Sequence, residues 1–438
     1  MADVFKRIRT IVLLCVVFDT SALAVEGFPF PKNASPCITT LNVDWSLLKM
    51  YHHNTLDSGK AGYSFPNQGY MDRKTIQSER LYLGLERYRT AVSILPFIES
   101  DAKRVESQSL QLSAFAGTGI AGWIDSLDYA FRVQYLAEYY EEDALHTLQC
   151  VDGVFWRSVN HEDEVNSAVT YDFMASFHHD WFQAEIGRNS AHWGPGFFNN
   201  LTLNQYSNPY SLIAIRLALG PLRVYSLYGN LRVAPWGEAN ADFSNRSLFA
   251  HRYELLLGDL SLGISETQVL YDNMKPWLFV PTVPLFMEKG NYSEKSNNGA
   301  IAFDANLRLL KMLRLYSEFY LDDMESPISL VKNDNAEAKW AWMAGSQFGY
   351  TGLLDRNVYE LGLILEYARV EPYVYTHFYE NTAQTAHAGL PLGTPGGPNS
   401  MTVDFAGYLF WNNKISFLMD NRFTWKGTDK GSSLDDRS

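Results

Sequence analysis

A short segment at residues 187–196, GRNSAHWGPG, combines side chains that are suited to binding sugars. Arg188 can hold a carboxylate with two parallel hydrogen bonds, and the indole of Trp193 offers a flat face to the C–H groups of a pyranose ring. Pro195 fixes one backbone dihedral between two glycines, so the segment is neither a helix nor a regular strand. The predicted carbohydrate-binding residues are Arg188, His192, Trp193, Asn199 and Asn200.

A purely structural interpretation of the same segment stays open. In the preceding residues WFQAEIG, apolar and polar residues alternate as in a β-strand, and this alternation resumes after Asn200 in LTLNQYSNPY. The segment therefore joins two strands. In that case Trp193 belongs to an aromatic girdle, and Arg188 binds nearby carbonyl groups.

Other chemical motifs are weak. GTGIAG at residues 117–122 matches the glycine pattern of dinucleotide-binding proteins, but that pattern requires a helix directly after it, and WIDSLDYAFRVQY alternates like a strand. Neighbouring histidines at 52–53 and 178–179 would point to opposite faces of a regular strand, so such a pair cannot chelate a metal. We predict no catalytic residue, no cofactor and no metal site, and therefore no enzyme.

The elements that carry these residues show period-two alternation from about residue 110 to residue 425. In SLDYAFRVQYLAEYY, apolar residues from Leu127 to Tyr139 share one parity, and Asp128, Arg132 and Glu138 share the other. This run is longer than the usual strand of about 5–6 residues and suits a tilted strand that crosses a bilayer, which needs about 9–11. A soluble β-sandwich or propeller also alternates and is the alternative.

The connections between these runs alternate in length. HRYELLLG continues into LSLGISETQVL through Asp259, whereas stretches such as 291–299 and 387–400 are long and polar. Short turns on one side and long loops on the other are typical of outer-membrane barrels. The sequence therefore predicts an all-β fold, an antiparallel transmembrane β-barrel of about 14–18 strands, with a small N-terminal helical segment.

Four regions follow from these patterns. Residues 1–24 have a basic start, a short apolar core and a small-x-small end, as in a cleavable signal peptide. We expect a periplasmic or plug region with helices at 25–108, because MDRKTIQSERLYLGLERYRTAVSIL contains many helix formers. The barrel is expected at 109–426 and a polar tail at 427–438.

Charge and cysteine content limit the partners and the compartment. Cleavage after Ala24 would change the formal net charge from −13 to −14, which argues against a nucleic-acid partner. Cys37 and Cys150 would remain, and an export compartment permits a disulfide between them, so we predict that they pair.

Several segments resemble the capsule-assembly outer-membrane proteins typified by Wzi. These are GRNSAHWGPGFFNNLTLNQYSNPYS, HRYELLLGDLSLGISET, LRLYSEFYLDD and YTHFYENTAQTAHAGLPLGTPGGPNS, which follow one another in that order within residues 180–425. The N-terminal 110 residues and the polar end of the chain depart from that family. The resemblance implies a barrel of about 18 strands with a helical periplasmic part, which holds capsular or exopolysaccharide without catalysis.

We therefore expect an outer-membrane protein of a Gram-negative bacterium that binds and helps to anchor or assemble a surface polysaccharide. Its expected partners are the capsular or exopolysaccharide and outer-membrane lipid, with other polysaccharide-export components as further candidates. A porin or solute transporter is the alternative function, and a barrel-embedded hydrolase is a third. Filling of the barrel interior would argue against the porin.

Overall fold

A computed structural model describes most of the chain after residue 81. The described residues are 82–85, 90–105, 109–124, 127–140, 160–162, 165–179, 181–207, 209–232, 245–271, 275–291, 297–309, 312–322, 339–354, 357–377, 383–411, 415–428 and 430–434. The proposed signal peptide, Cys37 and Cys150 lie outside these ranges, so the predictions that concern them stay predictions.

The described chain is almost entirely β-structure. The strands are β1 (Tyr82–Leu85), β2 (Thr90–Val105), β3 (Ser109–Ile124), β4 (Leu127–Tyr140), β5 (Asn160–Glu162), β6 (Val165–His179), β7 (Phe182–Asn189), β8 (Tyr210–Leu219), β9 (Leu222–Arg232), β10 (Asn245–Leu257), β11 (Leu260–Tyr271), β12 (Asn297–Leu309), β13 (Leu313–Asp322), β14 (Lys339–Leu354), β15 (Asn357–Val370), β16 (Ala386–His387), β17 (Leu390–Pro391), β18 (Ser400–Trp411) and β19 (Ile415–Lys426). One short helix, α1, spans Leu285–Glu288 between the 3₁₀ turns Pro276–Phe279 and Lys289–Asn291. Within the described part of the chain, no helix is both long and apolar enough to cross a membrane.

Antiparallel pairing follows the order of the chain. The pairs run from β1–β2 through β2–β3, β3–β4, β4–β6 and β6–β7 to β7–β8, β8–β9 and β9–β10. They continue from β10 to β15, and then through β15–β18 to β18–β19. The short β5 pairs with β6, and β16 and β17 form a separate small hairpin. This is the meander expected of an up-and-down barrel.

The two ends of the sheet differ in their connections, as the sequence predicts. At the short-turn end, Gly258 and Asp259 alone join β10 to β11, and the φ of +63° at Gly258 is one that glycine adopts without a steric penalty. At the opposite end, the long-loop end, the connections 190–209, 272–296 and 371–399 are much longer. Short turns at one end and long loops at the other match the pattern of outer-membrane barrels.

The faces of the sheet distinguish a membrane barrel from a soluble sandwich. On β10, Arg246 and Arg252 point inward and are fully buried, whereas Leu255 and Leu257 point outward and are exposed. The same arrangement of buried charges and exposed apolar residues is found on β13. Arg314 and Glu318 are buried, and apolar residues are exposed on the other face. A polar interior under an apolar outer surface is the arrangement that a lipid environment requires. The chain therefore has the predicted fold of a transmembrane β-barrel.

One part of the N-terminal prediction is wrong. Residues Tyr82–Leu85 and Thr90–Val105, which the sequence assigns to a helical region, are strands, and Leu83 lies opposite Val92 in their register. β2 also pairs with β3 along its whole length, so the sheet begins before residue 109. The local helix propensity of these residues is weak compared with the hydrogen bonds and packing that a neighbouring strand provides.

Candidate functional site

The predicted sugar-binding segment folds into the barrel. The inner loop, Ser190–Ser207, connects β7 to β8, and all its residues are buried. Its two arms pair with each other, since Trp193 and Leu203 form an antiparallel bridge in which the Trp193 N–H donates to the Leu203 carbonyl at 2.9 Å. A second loop, Ala383–Asn399, lies beside it, and the Asn204 N–H donates to the Leu392 carbonyl at 2.6 Å. We call these two loops together the plug.

The carboxylate of Glu366 on β15 holds the middle of the inner loop. It accepts hydrogen bonds from the backbone N–H groups of Phe197, Phe198 (2.9 Å) and Asn199 (3.0 Å). The hydroxyl of Tyr316 donates to the same carboxylate at 2.7 Å. Consecutive amides that converge on one anion form a compact anion-binding turn, and here the anion is a side chain of the barrel wall.

A second carboxylate, Glu318 on β13, holds the next residues of the loop. It accepts from the Leu201 N–H at 2.8 Å, the Thr202 N–H at 3.1 Å and the Thr202 hydroxyl at 2.5 Å. Asp404 on β18 adds a third contact, because the side-chain amide of Asn199 donates to it at 2.5 Å. Side chains of three strands, Glu366, Glu318 and Asp404, therefore hold the loop by accepting hydrogen bonds from it.

Arginines of the wall hold carbonyl groups of the plug. Arg314 donates to the Pro195 carbonyl at 2.5 Å, and Arg246 donates to the carbonyls of Gln384 (3.0 Å) and Ala386 (2.6 Å). Arg252 forms a bidentate pair with Asp304, with bonds of 2.5 and 2.9 Å. The interior therefore combines paired charges with loop backbone, as buried charges require.

Four of the five predicted residues lie inside the plug. Asn199 is held by Glu366 and Asp404, and its side-chain Oδ1 accepts from the Thr394 hydroxyl at 2.9 Å. Asn200 accepts from the Gly196 N–H at 2.6 Å through its side-chain oxygen. Their polar groups serve the fold of the loop.

The fifth predicted residue, Arg188, is separated from the other four. It lies on β7 opposite Phe173, whose side chain is exposed on the outward face, and its guanidinium lies over the ring of Tyr171 at 5.4 Å. Residues directly opposite in an antiparallel pair share a face, so Arg188 is on the outward side of the sheet. The structure therefore places Arg188 on the opposite side of the wall from the loop side chains, and it is buried there.

His192 is enclosed and neutral. Its Nε2 lies 3.1 Å from the Gly196 carbonyl, and the side-chain amide nitrogen of Asn200 lies 2.7 Å from Nε2 and 3.0 Å from Nδ1. Burial lowers the pKa of His192 to about 3, and the charges of Arg314 and Arg252 act in the same direction, while the bond to Gly196 opposes them. The imidazole thus acts as a neutral link within the loop.

Trp193 packs inside the barrel. Its ring centroid lies 6.2 Å from that of Tyr225 in a tilted arrangement, and Leu203, Tyr210 and Leu248 belong to the same apolar cluster. Only 1% of its surface is exposed. Its position therefore differs from the aromatic girdle of the structural interpretation.

Reasoning from the sequence missed the wall residues that hold the plug. Glu318, Glu366, Asp404 and Arg314 lie on strands far from the loop along the chain. Each of them is a charged residue at an inward position of a strand whose other face is apolar. That local signal marks charges that face the interior, although it does not identify their partners.

Comparison with known proteins supports the fold. No protein-family model matches the sequence, and no curated protein does either. Among solved structures, the chain is similar to Wzi of Escherichia coli, an outer-membrane protein involved in group 1 capsule assembly that is described as a carbohydrate-binding β-barrel. The identity is 14%, the match covers 92% of this chain and 84% of Wzi, and the TM-score is 0.50.

Two further solved structures match less well. OmpT, an outer-membrane protein of Vibrio cholerae, shows 9% identity over 77% of this chain and 98% of its own, with a TM-score of 0.27. A porin of Rhodopseudomonas blastica shows 9% identity over 76% of this chain and 100% of its own, with a TM-score of 0.30. Of these three matches, the one to Wzi has a TM-score of 0.50, and the fold comparison rests on it.

Proposed function

We propose that this protein is a non-catalytic outer-membrane barrel that binds capsular or exopolysaccharide and helps to anchor or assemble it at the cell surface. The observation that carries this proposal is the plug, which wall carboxylates and arginines hold inside the barrel. A porin needs a water-filled interior, whereas here the plug occupies the interior beside β13, β15 and β18. The similarity of fold to a carbohydrate-binding barrel adds support.

The exposed rim of the plug offers a surface for the sugar. Long loops of outer-membrane barrels face the exterior, so we place the long-loop end outside the cell. There the second loop leaves Pro395, Gly396 and Asn399 partly exposed, and the ammonium of Lys426 donates to the Gly396 carbonyl at 2.9 Å. A fixed backbone with amide and ammonium groups suits the hydroxyl and carboxylate groups of a polysaccharide.

The five residues that the sequence singles out stay a proposal for sugar contact. Because His192, Trp193, Asn199 and Asn200 are buried, direct contact would require the inner loop to move away from Glu366 and Glu318. Without such movement, they position the rim and do not touch the sugar. Arg188 is buried as well, and it would act separately, from the outward side of the sheet.

A deletion strain tests the proposed function. We expect less polysaccharide bound to cells and more shed into the medium, with total synthesis unchanged. Complementation with the parent gene should restore the cell-bound fraction. The proposal fails if the cell-bound fraction is unaffected while uptake of small solutes falls, because that result indicates a porin.

Binding by the purified protein gives an independent test. Lys426→Ala should weaken binding of an acidic polysaccharide, and added salt should weaken binding by the parent, because exposed charges are screened. Lys430→Ala, which removes an exposed lysine of the tail, serves as the matched control. Equal binding by all three proteins would exclude Lys426 from the sugar site.

A further inference from the structure

The connection between β11 and β12 does not project away from the barrel. The part at Lys275–Asn291, the outer strap, lies on the outer face of β9, β10 and β11. The Ser226 hydroxyl donates to the Phe279 carbonyl, the Tyr253 hydroxyl donates to the Pro281 carbonyl, and the Leu285 N–H donates to the Glu266 carboxylate at 2.9 Å. These wall residues alternate with the inward-facing ones, so the strap is on the side of the sheet that faces lipid elsewhere.

The strap covers polar wall residues. Ser226 and His251 are fully buried beneath it, and the His251 ring lies against the carbonyls of Leu278, Phe279 and Val283. Leu278 and Leu285 pack on Phe249 and Leu270, which anchors the strap through an apolar cluster. Uncovered, these polar groups would face hydrocarbon, where no water is present to form hydrogen bonds with them.

The strap presents apolar side chains on its other surface. Trp277 is 51% exposed, Val280 46% and Met287 74%. The ammonium of Lys275 lies 5.7 Å from the centre of the Trp277 ring. An indole with a neighbouring lysine is typical of the membrane–water interface.

The exposed apolar stretch of β10 is shorter than the hydrocarbon layer, so the polar residues next to it need the strap as a cover. On the outward face of β10, Tyr253 is half-buried, Leu255 and Leu257 are exposed, and the next outward residue is His251. A tilted strand needs about 9–11 residues to cross the hydrocarbon, so His251 falls within the bilayer thickness. The exposed residues of the strap continue the apolar band over this polar patch.

We propose that the outer strap is seated in the bilayer, with Trp277, Val280 and Met287 in contact with lipid acyl chains on the long-loop side. Continuity with the exposed leucines of β10 and β11 favours lipid over a second protein. This inference rests on the barrel fold and does not depend on polysaccharide binding.

Depth-dependent quenching tests the proposal. The full chain carrying Met287→Cys is labelled with an environment-sensitive fluorophore and reconstituted in phosphatidylethanolamine–phosphatidylglycerol vesicles. We expect blue-shifted emission, strong quenching by lipid-attached nitroxide and weak quenching by iodide. The parent protein, labelled in parallel, gives the background from the native cysteines.

Two further positions make the result decisive. Leu363→Cys lies on the exposed outer face of β15 and should behave like Met287→Cys, whereas Thr428→Cys on the exposed tail should be quenched by iodide. If lipid nitroxide quenches position 363 but not position 287, the strap contacts water or protein and the proposal is overturned. Crosslinking between position 287 of two copies would assign that surface to a dimer. If position 363 also escapes quenching, the barrel itself is not in the bilayer, and the proposal falls with it.

Discussion

The Glu366 carboxylate offers the sharpest test of how the plug is held. Replacing it with glutamine keeps the size of the side chain but turns one acceptor oxygen into a donor, which then faces backbone N–H groups of Phe197–Asn199. A hydrogen bond to a charged group contributes about 1.5–3 kcal/mol, so the loss of two weakens plug closure by about 3–6 kcal/mol. This corresponds to a rise of about 10²–10⁴-fold in the population of the open plug, since about 1.4 kcal/mol is a factor of ten.

Hydrogen exchange measures this change directly. Amides of the inner loop in Glu366→Gln should exchange faster by up to the factor of about 10²–10⁴, because local opening limits their exchange. Openings should also appear as current steps in a planar bilayer. Glu185→Gln is the matched control, since Glu185 is another buried carboxylate, on β7, and makes no hydrogen bond to the plug among the described residues. Parent-like exchange at residues 197–202 in a folded variant would refute the proposed clamp.

Three further predictions concern the inner loop. Burial lowers the pKa of His192 from 6.5 to about 3. The open state therefore binds more protons, and closure weakens as the pH falls from 6.5 towards 3, by up to about 1.4 kcal/mol per pH unit. His192→Gln should show a shallower pH dependence of loop exchange, and an unchanged slope would contradict this. Gly194→Ala should weaken closure by about 1–3 kcal/mol, because φ is +129° and the new Cβ would lie 2.5 Å from the Asn200 side-chain oxygen; parent-like loop exchange would count against it. Trp193→Ala should lower stability by about 3–5 kcal/mol, measured as a lower unfolding temperature in detergent, whereas an unchanged temperature would show that the indole is not part of the core.

The local pattern of the sequence predicts much of the barrel. Three features depend only on residues that are neighbours in the chain. They are the alternation of apolar and polar residues along β4 and β13, the two-residue turn at Gly258, and the long polar connections. The segment at 90–105 is the exception. Its helix formers became strand residues because β3 supplies a hydrogen-bonding partner that no local pattern reveals.

The sequence by itself determined the sheet, its polar inner and apolar outer faces, and the rigid turn around Pro195. The alternation of apolar and polar residues along a strand and the backbone geometry of glycine and proline are local properties. Only the tertiary structure decided that this turn lies inside the barrel and that Arg188 faces the other way. It also decided which carboxylate meets which amide: Glu366 and Phe197 are 169 residues apart in the chain. Such pairs depend on the curvature and register of the whole sheet, and a charged residue at an inward position looks the same whether its partner is a loop, a sugar or water.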